Sequence, residues 1–293
     1  MAKKQKARTS LAAGRPALAQ KPRTILSQRA TTKLIRSHHG LNKKLAKAVF
    51  QGDKEKIEEL TKEIDKAGGL VSYQSASIQG QSLERGGDSS IVLMEWLKDV
   101  KLTKASTSIK LRMLEVGALS TKNACSTSGL FDIERIDLRS QGPGIIQQDF
   151  MDRPIPVNGE VQFDIISLSL VLNFVPTDEG RGVMLQRTGW FLDPKCRHSM
   201  AEGVCDTFPA LFLVLPAACV ANSRWFNDER LTLMMGSLGY VMLRRKQTDK
   251  LVYYLWLHRD TGMPDKQRFG KEEVNPGGRR NNFCIVMKKP AST

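Results

Sequence analysis

Three features of the sequence predict an α/β fold: a seven-stranded, mostly parallel open sheet with an N-terminal helical extension. Short apolar runs recur with helix-length spacers between them. Several of the runs end in a glycine, a carboxylate or an amide, and the chain finishes on a strand-rich stretch. Alternating strands and helices build parallel sheets, and terminal strands add an antiparallel portion.

Residues 1–24 set Gly14, Pro16 and Pro22 among lysines and arginines. They lack the apolar content to fold, so a disordered basic arm is expected. Residues 1–50 hold thirteen Lys or Arg and no acid, while the other 243 hold 32 basic and 30 acidic groups. Thirteen of the +15 net charge therefore belong to the N-terminal 50 residues, whose basic arm leads them, and not to the body. Such an arm neutralises nucleic-acid phosphates in a salt-dependent way, and it also reads as a nuclear or nucleolar address.

Residues 25–100 are predicted to form a helical region with a Ser/Gly-rich flap. Ile25, Leu34, Leu41, Leu45, Ala48 and Val49 fall on one helical face, and Ile57, Leu60 and Ile64 on another. Asp53 is placed to cap the second helix and Gly68-Gly69 to stop it. His38 and His39 are expected to be solvated or to face RNA. The polar stretch 73–82 reads either as a linker or as a flap over a ligand. Ser89 or Ser90 is expected to cap a helix over 91–100.

The main domain is predicted over 101–290. Its first strand is Leu111 to Val116, followed by Gly117; a second apolar run reaches Asp137, a third ends at Asp149-Phe150, and a fourth spans 163–176. Helices are expected over 178–190 and 225–238. Strands are expected at 210–216, 240–245 and 252–258, with 282–288 as the last.

Open parallel sheets bind ligands beyond the carboxyl ends of their strands, where strand order reverses. Gly117 would let the backbone approach a ligand, since a Cβ there would collide with it. Asp137, 20 residues further on, is placed to accept from both hydroxyls of a ribose. Asp149 can accept from the amine of an adenine whose ring nitrogen faces the Phe150 N–H. The loop carries one glycine where a dinucleotide site needs Gly-x-Gly-x-x-Gly, and Glu115 would repel a diphosphate. A nucleoside without phosphate but with a cationic end fits, and S-adenosylmethionine is such a molecule.

No run is long enough to span a bilayer, which takes roughly 20 residues, and no secretory signal is apparent. The five cysteines form no Cys-x-x-Cys pair, as suits reduced thiols. Cys196, His198 and Cys205 match no familiar zinc spacing, so no metal is expected. A monomer is expected.

Together, Leu114-Glu115-Val116-Gly117, Arg135-Ile136-Asp137-Leu138, Gln148-Asp149-Phe150 and the 169–176 string Ser-Leu-Val-Leu-Asn-Phe-Val-Pro resemble the fungal 25S ribosomal RNA adenine-N1 methyltransferase family. That family is related to a metazoan S-adenosylmethionine sensor. Segment 73–81 and Arg224-Trp225 add to the likeness. The resemblance implies a Rossmann-like class I methyltransferase domain with S-adenosylmethionine held by Gly117 and Asp137; Glu115, Asp149, Phe150 and Ser169 are the further expected cofactor-binding residues. It also implies large-subunit ribosomal RNA or a pre-ribosome as partner, and a nucleolar location.

Adenine N1 has a free lone pair at neutral pH, so no general base is expected. The target's Watson–Crick edge must be unpaired or flipped out. Asn173 can bond that edge and Phe174 can stack on the base; the alternative is that Asn173 bonds backbone while Phe174 fills the core. Gly117→Arg is expected to abolish transfer and leave the fold intact. Two other functions share the fold: a non-catalytic sensor of the cofactor, and an RNA-binding ribosome-assembly factor.

Overall fold

The computed structural model describes residues 28–69, 88–98, 100, 110–140, 142–157, 162–193, 206–259 and 268–288. The basic arm, segment 73–82, Cys196, His198 and Cys205 lie outside the described residues.

Helices α1 (Gln28–Gln51) and α2 (Lys54–Lys66) form a hairpin. Asp53 caps α2, its carboxylate accepting from Lys56 N at 3.0 Å, and satisfies an N–H that the helix itself cannot pair. Gly68 and Gly69, at φ of 89° and 55°, end it in the left-handed region. Leu41, Ala48 and Leu60 make a small shared core with Leu45, Ile57 and Ile64. Val49 does not join them. It is 59% exposed, one position round from Ala48 in the turn where the hairpin ends.

The sheet has seven strands in the order β3-β2-β1-β4-β5-β7-β6. They are β1 (Leu111–Val116), β2 (Phe131–Asp137), β3 (Ile146–Gln147), β4 (Ile165–Ser169), β5 (Ala210–Pro216), β6 (Tyr240–Gln247) and β7 (Leu251–His258). All neighbouring pairs are parallel except β5–β7 and β6–β7, so the reversed strand is β7, one in from the edge. This is the class I methyltransferase sheet. Strand order reverses between β1 and β4, which puts the crevice at their carboxyl ends.

β5 shows why such a strand reads as an unbroken apolar run. Leu211, Leu213 and Leu215 belong to one core, and Ala210, Phe212 and Val214 to the other. Both faces are covered, as parallel sheets require. Helices α5 (Asp178–Phe191) and α7 (Asp228–Ser237) contribute Met184, Leu185, Leu231, Met234 and Met235 to the first core. Helix α3 (Ser90–Trp96) contributes Leu93 to the second, with Leu97 just beyond it.

Three predicted elements differ in extent, and one unpredicted helix appears. β3 shrinks to two residues, because Gln148 N bonds Asp137 O while Asp149 turns the chain. α3 stops at Trp96 instead of Val100, and a turn follows. α7 begins at Asp228 and not at Trp225, because Asn227 caps it by accepting from Arg230 N at 2.8 Å. The apolar residues after Pro216 form a short helix, α6 (Ala217–Ala221).

The predicted last strand, 282–288, pairs with no strand of the sheet. It makes single bridges, Ser223 to Asn281 and Phe269 to Met287. The alternation in that stretch is real, but Phe283, Ile285 and Met287 bury against the α5 and α7 side of the core. Segment 268–288 is thus a strap across the end of the sheet, and no further edge strand.

Candidate active site

The crevice forms because two chain segments, after β1 and after β4, turn sharply at the same end of the sheet. After β1 the chain turns at Gly117, with φ of 75°; Gly117 N and Ala118 N both bond Ile136 O, at 2.8 and 3.1 Å. After β4 it turns at Leu170, whose φ of 57° makes it the one described non-glycine residue in the left-handed region. A leucine there is strained, by about 1–3 kcal/mol. The turn swings residues Leu172–Phe174 into a single 3-10 turn over the β1 loop.

That geometry revises the role given to Gly117. A Cβ on it would lie 2.5 Å from Val171 Cγ2, so the glycine makes room for the β4 loop as well as adopting a positive φ. Gly117→Arg would therefore disturb the fold, contrary to the sequence-based expectation.

Glu115 and Asp137 end adjacent strands, Glu115 in register with Arg135 and Ser167, and Val116 with Ile136 and Leu168. Glu115 lies beneath the loop with its side chain 15% exposed. Its Oε1 accepts from Asn123 Nδ2 at 2.7 Å, while Oε2 lies 3.7 Å from Arg135 Nε and has no hydrogen-bond partner. Burial pushes this carboxyl up to about 7, with Asp88 adding and Arg135 and Asn123 opposing. Asp137 is 9% exposed, and its Oδ1 accepts from Arg139 N at 2.9 Å.

Ser169 shares a hydrogen bond of 2.7 Å with Ser89 Oγ. This corrects the cap assignment: Ser89 makes no side-chain cap, and Asp88 takes Ser90 N at 2.9 Å instead. Asp88 also accepts from Ala124 N, beside the one-turn helix α4 (Ala124–Thr127). Asp88 and Asn123 thus hold the β1 loop, and the sequence reading missed both. The Asp-Ser-Ser run before an apolar stretch was the available signal.

Asp149 Oδ1 accepts from Met151 N at 2.7 Å, fixing the carboxylate next to the Asp137 tip. The Phe150 side chain is core: its ring lies 5.3 Å from Phe191, under the Arg187 guanidinium. Asn173 Oδ1 is buried and unpartnered, which argues against a backbone-bonding role for that oxygen. Phe174 is half-buried beside it. Glu115, Gly117, Asp137, Ser169 and Asn173 therefore all lie at or just past the carboxyl ends of β1, β2 and β4, with Asp149 just past β3.

The buried polar atoms fit an S-adenosylmethionine-like ligand. A carboxylate with one satisfied oxygen, shifted upward by burial, gains from a cation placed beside it. Two buried acceptors without a hydrogen-bond partner, at neighbouring strand ends, can be satisfied by donors from a bound molecule. Among the described residues no group of three or more His, Cys, Asp or Glu side chains could hold a metal. None of the described helices is long and apolar enough to cross a membrane.

The family model described as 25S rRNA (adenine(2142)-N(1))-methyltransferase, Bmt2, matches residues 58–285. The chain belongs to this family. It is similar to the 25S rRNA adenine-N(1) methyltransferase of Schizosaccharomyces pombe, 36% identical over 256 residues that cover 86% of this chain and 90% of the relative. It is 40% identical over 227 residues to the 25S rRNA (adenine(2142)-N(1))-methyltransferase of Saccharomyces cerevisiae, covering 77% of this chain and 62% of that one. Among solved structures, the N-methyltransferase NodS from Bradyrhizobium japonicum aligns with a TM-score of 0.39 at 13% identity, over 59% of this chain and 99% of its own. The strand order, and not that likeness, assigns this member of the Bmt2 family to the class I methyltransferase fold.

Proposed function

We propose that this chain transfers a methyl group from S-adenosylmethionine to N1 of an adenine in large-subunit ribosomal RNA. Membership of the Bmt2 family carries the reading, and the Glu115 and Asn173 oxygens that lack a hydrogen-bond partner support it. The donor supplies an electrophilic sulfonium methyl. The protein's own residues position the two partners and shape the charge around them.

Asp137 accepts from the ribose hydroxyls, and Asp149 with the Phe150 N–H takes the edge of the donor's adenine. Glu115 lies under the cationic end. On the substrate side, Asn173 Oδ1 accepts from the exocyclic amine of the target adenine and Phe174 stacks on its face. Attack by N1 spreads positive charge over N1, C6 and the amine. The amine thereby becomes a stronger donor, so the bond to Asn173 tightens as the methyl moves, and bonds that strengthen in the transition state raise the rate. Guanine carries an oxygen at that position and would face Asn173 Oδ1 acceptor to acceptor.

The basic arm supports an RNA substrate and a nucleolar location, and the enzyme is read as a monomer. The test is incubation of the full chain with large-subunit RNA and labelled donor, followed by reverse transcription. A methyl on N1 blocks Watson–Crick pairing and stops the polymerase, whereas one on the amine does not. Donor binding without RNA labelling would favour a sensor; no donor affinity would favour an assembly factor.

A further inference from the structure

The strap 268–288 carries chemistry that the transfer reaction does not use. We infer that its turn at 274–281, together with Trp225, is an RNA-binding clamp that holds the single strand flanking the target adenine. This rests on the methyltransferase reading above.

The turn is built onto the rim of the crevice. Val274 N and Asn275 N bond Arg224 O at 2.9 and 3.0 Å, and Asn281 N bonds Asn222 O at 2.9 Å. Arg224 Nη2 returns a bond to Gly277 O at 2.9 Å, and Asn275 Nδ2 reaches Ser223 O at 2.9 Å. The strap is also tied to the β4 loop. Buried Arg181 donates to Cys284 O at 2.6 Å and to Pro176 O at 3.5 Å, three residues past Asn173. The turn is therefore preorganised next to the proposed target-base pocket.

Its charges are left over from the fold. Segment 268–288 holds five basic and two acidic residues. Both acids face arginines of the body, Glu272 with Arg230 and Glu273 with Arg224. Lys271 pairs with Asp178 and Lys288 with Glu179. That leaves Arg268, Arg279 and Arg280, none of which forms an ion pair among the described residues. Lys43 of α1, within electrostatic range of Asp178, Arg181 and Lys271, continues the basic rim.

Trp225 supplies a stacking surface. Its half-exposed indole is held by an N–H bond to Asn282 Oδ1 at 3.3 Å, with Lys271 Nζ 5.3 Å and Arg224 Cζ 5.9 Å from the ring centre. Arginine forks match phosphate geometry, and an aromatic face accepts any base. The turn sequence from Asn275 to Asn282 is Asn-Pro-Gly-Gly-Arg-Arg-Asn-Asn. It has no apolar side chain beyond its one proline to insert into lipid, and its asparagines hold the turn to the body.

The test uses the full chain, a labelled adenine-containing RNA of roughly 12 nucleotides, and a polyglutamate peptide of equal charge. For Arg279→Glu with Arg280→Glu, the expected result is RNA affinity reduced on the order of 10-fold at about 0.1 M salt. The slope of log affinity against log salt should fall by roughly 1.4, the share of two phosphates on a single strand. Donor affinity and kcat at saturating RNA stay within about twofold, because neither arginine touches the transfer site. Trp225→Ala should weaken RNA binding about 5- to 100-fold, with Trp225→Phe restoring most of it. Should the charge reversal lower Tm, the Arg279→Gln, Arg280→Gln pair reads the same slope change. Unchanged RNA affinity and slope in these variants overturn the clamp, and so does a loss confined to polyglutamate. The binding arm needs no donor, so a wild-type chain that bound RNA through this turn but methylated none would fault the catalytic reading alone.

Discussion

Glu115 carries the most unusual electrostatics at the site. Its carboxyl keeps a proton up to about pH 7 in the folded chain, whereas the ordinary value is 4.5. The unfolded chain is therefore ionised first as pH rises, and this group costs stability progressively from about 4.5 to about 7. A cation beside it favours the ionised form. Donor binding should accordingly release a proton below pH 7 and tighten as pH rises through that value. Titration calorimetry in buffers of different ionisation heat measures the release, and Glu115→Gln should abolish it; an unaltered release in that variant would remove Glu115 from the donor site.

Asn173 and Gly117 give two further residue-scale outcomes. Loss of a hydrogen bond to a charged group costs about 1.5–3 kcal/mol. Asn173→Ala should therefore lower kcat roughly 10- to 150-fold with donor affinity intact, while Asn173→Asp, which keeps the acceptor, should retain more. Gly117→Ala meets both a positive φ and Val171 Cγ2 at 2.5 Å. Those two costs sum to roughly 2–4 kcal/mol, enough to lower Tm by roughly 5–10 °C in a body of this size. Adding Val171→Ala should restore the packing share, and thermal unfolding of the pair separates it from the backbone share.

Among the elements, those whose burial repeats along the chain were legible in the sequence. β5 showed as an unbroken apolar run because both faces are covered, β1 as an apolar run broken only by Arg112 and Glu115, and Asp53 and Gly68-Gly69 marked the ends of α2. Glu115, Asp137, Ser169 and Asn173 could be singled out as candidates because each lies at or near the end of a recognisable run. β3 was overestimated because the run 145–150 serves two purposes: Ile146 and Gln147 pair with β2, and Phe150 goes to the core. The strap was misread because alternation reports burial and not pairing. Leu170 could not be foreseen at all, since nothing local to a leucine announces a φ of 57°; its fixing bond, Leu170 N to Val214 O at 3.0 Å, comes from another strand.

Helix α5 shows local propensity being outvoted by its surroundings. Replacing a helical glycine with alanine ordinarily gains about 1 kcal/mol. At Gly182 the new Cβ would lie 2.0 Å from Val286 O, a backbone atom of the strap. Gly182→Ala should therefore destabilise the protein and loosen the strap first, which hydrogen exchange at Val286 and Met287 would register ahead of the sheet.

At the scale of the whole molecule, basicity and catalysis occupy different parts of the chain. The body is nearly neutral and the first 50 residues carry thirteen positive charges. Removing residues 1–24, which hold seven of them, should reduce the salt dependence of RNA affinity and raise KM for RNA, with kcat at saturation and donor affinity little changed. A fall in kcat equal to the rise in KM would mean that the arm acts within the reaction itself.

The Arg181 guanidinium, fully buried, bonds a carbonyl 103 positions further along. During synthesis, the cradle for the donor is therefore translated well before its far wall arrives. Until residues 281–288 have left the ribosome, this guanidinium has no Cys284 carbonyl to satisfy it, and the main core still lacks Phe283, Ile285 and Met287.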